Sequence, residues 1–193
     1  MPRPSRWGDV VAAAAKVFSE KGFGGSSLED VASEVGMLKG SLYNYIESKE
    51  DLLFAVVRPH AEELLEQARS LASSDLPAPE KLRRIAQVHV GIIDRNLAYV
   101  SVYVQEIAGK GISAEWTEMD QEYVSLVEQM VRDGVDEGSF DAGSDPRVVA
   151  RSMIGAFNWM TRWYEPGGPT RVKAISAQMS DIFLAGILTR RHG

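Results

Sequence analysis

Within eleven residues, from 39 to 49, the chain carries Lys39, Gly40, Ser41, Tyr43, Asn44, Tyr45 and Lys49. Two ammonium groups, a hydroxyl, two phenols and an amide can all hydrogen-bond to phosphate oxygens or to the edges of bases. Lys39 and Ser41 are candidates for reaching bases, and Tyr43, Tyr45 and Lys49 for holding phosphates, with Asn44 and the upstream Ser27 completing the set. Gly40 has no side chain, so a nucleic-acid backbone could approach closely there. The same stretch offers only Leu42 and Ile46 for burial, four residues apart on one side of a helix. So little apolar surface cannot hold a helix in place, and neighbouring elements must clamp it.

Those neighbours are legible as helices. WGDVVAAAAKVFSEKG, from Trp7, puts Val11, Ala14, Ala15 and Phe18 on one face and ends at Gly22, a helix C-cap type. SSLEDVASEVG begins with Ser26 or Ser27 as N-cap, has an acid three residues after each, and continues with Leu28, Val31, Ala32 and Val35. Gly36 ends it, and a helix over 39–46 follows, so helices 28–35 and 39–46 are separated by a three-residue turn. That spacing is a helix-turn-helix, in which the second helix lies in the major groove of duplex DNA. Ser48, with Glu50 and Asp51, starts a long fourth helix bearing Leu53, Val57, His60, Leu64 and Leu71, and Pro59 is expected to kink it. The loop GFGGSS at residues 22–27 lacks the Lys of a phosphate-binding loop and follows a helix rather than a strand, so it is a turn.

Beyond the linker SSDLPAP at residues 73–79, helical spacing predicts further helices at about 79–94, 97–109, 113–138, 145–165 and 170–190. Nothing alternates as a strand does, so the fold is expected to be all-α with nine helices. The net charge is −6, yet residues 1–60 hold seven Lys and Arg against eight Asp and Glu. Most of the acidity therefore lies in the remainder, and a nearly neutral head can still bind phosphates locally under salt screening. There is no Cys, and His60, His89 and His192 are dispersed, so neither a metal centre nor a catalytic site is expected. No segment approaches a membrane span or signal peptide, and a soluble cytoplasmic protein without a cofactor is the expectation.

From about residue 8 to 57 the chain resembles the DNA-binding domain of the TetR family of bacterial repressors. The hallmark is carried by Gly40, Ser41, Leu42, Tyr43, Ile46, Lys49 and Glu50. Two positions depart from it: Leu38 stands where members often have a Ser or similar cap, and Ile46 where Phe is common. The resemblance implies a DNA-binding head over residues 1–48. It also implies a ligand-binding and dimerisation domain over 49–193, reached through a connecting helix at 49–73. The implied partners are a double-stranded operator, a second copy of the chain, and a small hydrophobic or amphipathic effector.

The C-terminal body agrees with dimerisation. Residues 172–188 are apolar around most of the helix circumference, and helix 145–165 has two apolar faces, so a two-fold four-helix interface would bury what one protomer leaves open. Candidate effector residues are the polar and aromatic side chains expected on inner helix faces: His89, Tyr99, Tyr103, Glu106, Tyr123, Phe157 and Trp159. NWMTRWYEPGGP, DGVDEGSF and YVQE are similar to a narrower branch of the family that senses acyl-CoA thioesters in fatty-acid and sterol-ring catabolism. By that resemblance Arg162 and Trp163 join the effector set, an Arg fork for phosphate or thioester oxygen and a Trp to stack on adenine. Two alternatives stand beside the acyl-CoA-released repressor: a sensor of uncharged hydrophobic drugs, and an all-α ligand-binding module that never meets DNA.

Overall fold

Helical periodicity becomes helix throughout the computed structural model, which describes residues 6–106 and 114–188. The order is α1 (Trp7–Lys21), α2 (Leu28–Val35), α3 (Lys39–Leu42), α4 (Lys49–Ala72), α5 (Ala78–Arg95), α6 (Leu97–Glu106), α7 (Ala114–Asp136), α8 (Pro146–Trp159) and α9 (Val172–Ile187). A 3-10 turn, Met160–Arg162, extends α8. The all-α expectation holds among the described residues, whose β pairing is a single isolated bridge between Phe140 and Leu188. The expected ends of helices at 109, 113 and 190 lie outside the described residues. Packing divides the chain into two units, residues 6–61 with 98–106, and Glu62–Leu97 with residues 114–188.

In the first unit, α1 packs on α2 and α2 on α3. The buried side chains are Val10, Val17 and Phe18 of α1, Val31 of α2, Leu42 of α3, Ile46, and Leu52, Leu53, Val56 and Val57 of α4. Ser27, not Ser26, is the cap of α2. Its hydroxyl accepts from the Asp30 N–H at 3.2 Å, and the Asp30 carboxylate accepts from the Ser27 N–H at 2.8 Å. Gly36 closes α2 in the left-handed region at φ 70°, where a side chain would be strained, and the Met37 N–H then donates to Ala32 at 2.8 Å.

The helix expected over 39–46 is shorter. Only Lys39–Leu42 is α-helical, and the chain turns at once, the Tyr45 and Ile46 N–H groups both donating to the Leu42 carbonyl. The reason is the start of α4. The Asp51 carboxylate takes the N–H groups of Glu47 and Ser48 at 3.0 and 2.9 Å, while Ser48 Oγ caps Asp51 at 3.0 Å. The backbone must leave helical pairing before residue 47 to form that box.

The second unit is built around α5, which packs against α9, α7 and α8, while α7 also lies on α8. Its core is largely apolar, with Lys81, His89, Ser176 and Ser180 as the buried polar residues among those described. His89 is buried with both ring nitrogens occupied, Nδ1 2.9 Å from the Tyr123 hydroxyl and Nε2 3.1 Å from Asn158 Oδ1. An amide oxygen only accepts, so Nε2 carries the proton and the Tyr123 hydroxyl donates to Nδ1. Farther along α7, Gly134 is a close-approach position. A Cβ there would fall 2.1 Å from Phe140 Cδ2 and 2.9 Å from the Ala78 Cβ.

Gly134→Ala should therefore lower stability by about 1–3 kcal/mol, the usual effect of overpacking, in a thermal or urea melt. Burial holds His89 down to about 4 from 6.5, its bond to Asn158 opposing the shift. The unfolded chain takes up a proton near 6.5 that the folded chain refuses until about 4, so stability is full above 6.5 and declines on acidification through that window. Urea melts should register this as a loss of about 3 kcal/mol, and His89→Gln, which does not titrate, should flatten the slope.

Candidate nucleic-acid interface and effector residues

The two sides of α3 differ completely. Leu42 is fully buried, whereas Lys39, Gly40, Tyr43, Asn44 and Tyr45 are exposed and Ser41 half-buried. Six of the eight expected DNA-contacting residues thus lie together on one surface of the first unit. Tyr45 is braced by Trp7 of α1, their rings stacked at 5.9 Å and 18°. Lys39 is not idle: its ammonium binds the Glu29 carboxylate at 2.5 Å, which raises the lysine's pKa and lowers the glutamate's. Both partners are exposed, so the pair is weak and a phosphate or base can compete for the ammonium. Nothing stands within 4 Å of where a Gly40 side chain would begin.

The other two candidates are spent on the scaffold. The Ser27 hydroxyl is the cap of α2 and also donates to Asp30 at 2.8 Å. Lys49, expected to reach outward to phosphate, turns inward. Its ammonium donates to the Phe23 and Ser26 carbonyls and lies 4.2 Å from the centre of the Phe23 ring. The loop at 22–27 carries no lysine of its own and receives this one from α4; the ammonium joins the Ser26 N–H and hydroxyl on the Phe23 carbonyl and stands over the Phe23 ring. Trp7 and Arg6 were missed by sequence reasoning. The Arg6 guanidinium donates to the Val35 carbonyl at 2.8 Å, satisfying an open carbonyl at the C-terminal end of α2. The signal was an Arg-Trp pair just before an Ala-rich helix.

The effector candidates fall into three groups. His89, Tyr123 and Phe157 cluster in the second unit, with the His89 ring 5.7 Å from Tyr123 and 5.3 Å from Phe157. Asn158 completes that cluster and was not foreseen, since a polar residue beside an apolar stripe carries no signal of its own. Tyr99, Tyr103 and Glu106 belong to the first unit. There Tyr99 meets the His60 ring edge-on at 4.7 Å, and Glu106 accepts from the Phe23 N–H at 3.3 Å. Trp159, Arg162 and Trp163 are exposed, the two indoles at 65% and 51%. Trp159 was expected on an inner face. It lies two residues beyond the buried Phe157, which places it on the opposite side of a 3.6-residue helix. Trp163 instead sits edge-on to Tyr164 at 6.4 Å, and the Tyr164 hydroxyl donates to Asp94.

A cleft of about 410 Å³ opens between α4 and α7 within the second unit, lined by Glu62, Leu65, Glu66, Arg69, Glu115, Glu118, Met119 and Glu122. Arg69 grips Glu122 with two nitrogens at 2.6 and 2.8 Å. With one cation already engaged among five carboxylates, this cleft repels an anionic ligand.

Residues 10–56 match the family described as bacterial regulatory proteins, tetR family, and residues 75–187 match the tetracyclin repressor-like C-terminal domain. The HTH-type transcriptional repressor KstR2 of Rhodococcus jostii (strain RHA1) is 27% identical over 182 residues, covering 93% of this chain and 89% of that protein. The solved structure of the ketosteroid transcriptional regulator KstR2 of Mycobacterium tuberculosis superposes with a TM-score of 0.88 at 26% identity, covering 96% of each chain. A structure of AibR in complex with isovaleryl coenzyme A and operator DNA gives 0.80 at 25% identity, covering 92% of this chain and 97% of that one. With both domains matched in order on an all-α fold, this chain belongs to the TetR family of transcriptional regulators.

Proposed function

We propose that the chain is a homodimeric repressor whose head, residues 1–48, binds a palindromic operator, and that an acyl-CoA thioester bound by residues 49–193 releases the DNA. One observation carries the DNA reading. A four-residue helix is anchored by a fully buried Leu42 while its polar side chains and an open glycine face outward. An all-α binding module would have no use for that surface. The repressor sense draws support from the KstR2 relatives, and the thioester from the AibR complex.

Dimerisation draws on the exposed side of the second unit. On α8, Val148, Ser152, Gly155 and Trp159 are exposed at helical spacing; on α9, Ala174, Ala177, Asp181, Ile182 and Ala185 are. Small residues beside Ile182 and Trp159, 70% and 65% exposed, suit close helix packing against a second copy. Arg162 and Trp163 follow at the end of α8, where the guanidinium would meet a phosphate or thioester oxygen and the indole an adenine. A sensor of uncharged hydrophobes is the second reading. It is favoured by the His89 cluster, whose surroundings are aromatic and which holds no cation.

Gel-shift titrations on an operator selected from random duplexes should give a dimeric complex with half-sites about one helical turn apart. Its log affinity should fall linearly with log salt. Lys39→Ala and Ser41→Ala should relax the selected sequence by about 1–3 kcal/mol, whereas Tyr43→Phe should weaken all sequences alike. Isovaleryl-CoA and longer acyl-CoAs should dissociate the complex where free fatty acid and free CoA do not, and Arg162→Ala should blunt that response. Tenfold release requires about 1.4 kcal/mol of preference for the DNA-free conformation. Release by an uncharged hydrophobe, unaffected by Arg162→Ala, would establish the second reading instead.

A further inference from the structure

Leu38 is the most exposed of the large apolar side chains among the described residues, at 81%. It stands on the turn between α2 and α3, on the same surface as Lys39 and Gly40. Its root is fixed: the backbone is extended at φ −76° and ψ 141°, and its carbonyl accepts from the Ser41 N–H at 2.9 Å. The direction of its Cα–Cβ bond is therefore set, and the isobutyl group stands in open solvent. Its surroundings are polar. Lys39 is drawn to Glu29, Gly40 leaves clear space, and the other large exposed apolar side chains of this unit, Tyr43 and Tyr45, each end in a hydroxyl.

An exposed leucine gains nothing for the fold, and a cap-forming side chain here would have satisfied an N–H of α3. What a base edge can offer an isobutyl group is limited. In the major groove adenine, guanine and cytosine display hydrogen-bonding groups, and the apolar feature is the C5-methyl of thymine. From the fixed root, the exposure and this chemistry, we infer that Leu38 reads a thymine, packing on its C5-methyl, so that each operator half-site carries an A·T pair at the position Leu38 faces. This rests on the repressor reading above and names a specificity-determining residue for it. Lys39 and Ser41 supply hydrogen bonds to neighbouring edges, and Leu38 supplies the contact that a hydrogen-bonding side chain cannot make.

Deoxyuridine differs from thymidine by that methyl alone, so it isolates the contact. In the selected operator, each thymine is replaced in turn by deoxyuridine and affinity is measured for the full-length protein and for Leu38→Ala. At one thymine per half-site the wild type should lose about fourfold, and about fifteenfold with both half-sites changed, the value of one apolar carbon returned to water. Leu38→Ala should bind both versions equally, closing a double-mutant cycle. Its circular dichroism and melting should match the wild type, since the side chain touches no core. Deoxyuridine tolerated at every position, or a penalty that persists in Leu38→Ala, overturns the inference while leaving the repressor intact. Failure to select any duplex overturns the repressor reading, and this inference with it.

Discussion

A helix of four residues has no stability of its own, because forming its first turn fixes more backbone than its hydrogen bonds return. α3 exists because Leu42 is fully buried where α3 packs on α2 and because Gly36 and the Asp51 box define where the chain enters and leaves it. The outward presentation of residues 39–45 is thus a property of the whole first unit. The inward turn of Lys49 belongs to the same arrangement. By binding the Phe23 and Ser26 carbonyls it ties the start of α4 to the loop that leads into α2.

The electrostatics of the head follow from how its cations are employed. Lys16 pairs with Glu34 at 2.7 Å, Lys21 with Asp30 at 2.6 Å and Lys39 with Glu29 at 2.5 Å. The Lys21 ammonium is the main reason Asp30 is held down to about 2, with the Ser27 hydroxyl and N–H adding to it. A surface so neutralised attracts a polyanion weakly at long range and selects it at contact, where phosphates displace carboxylates from exposed pairs. That suits a regulator which must discriminate among sites rather than coat DNA.

Much of this was legible in the sequence because it rests on local rules. The 3.6-residue stripes of α1, α2 and α5, the caps at Ser27 and Ser48, and the left-handed glycine at 36 are each written within a few adjacent residues. The length of α3 was not, since what truncates it is a carboxylate on the next helix. The inward turn of Lys49 has a similar cause, since its direction depends on carbonyls of a loop 23 to 26 residues upstream. The effector set fared unevenly. Periodicity places Phe157 on a buried face but cannot tell which of two apolar faces of α8 the protomer covers. It therefore put Trp159 inside when Trp159 faces out. The hydrogen bonds of His89 join residues 34 and 69 positions apart and leave no local trace.

Gly40 has a meaning for the history of such a surface. It lies in the exposed helix with open space where a side chain would begin, and its backbone is not in the left-handed region. Any of the smaller residues could occupy that position without moving a neighbour, and alanine would favour the helix. On the proposed reading of this surface as a DNA interface, a lineage could thus acquire a new base contact there in one step, with the fold indifferent to the change. The position is a degree of freedom through which the set of controlled genes could be reassigned while the protein beneath it stays the same.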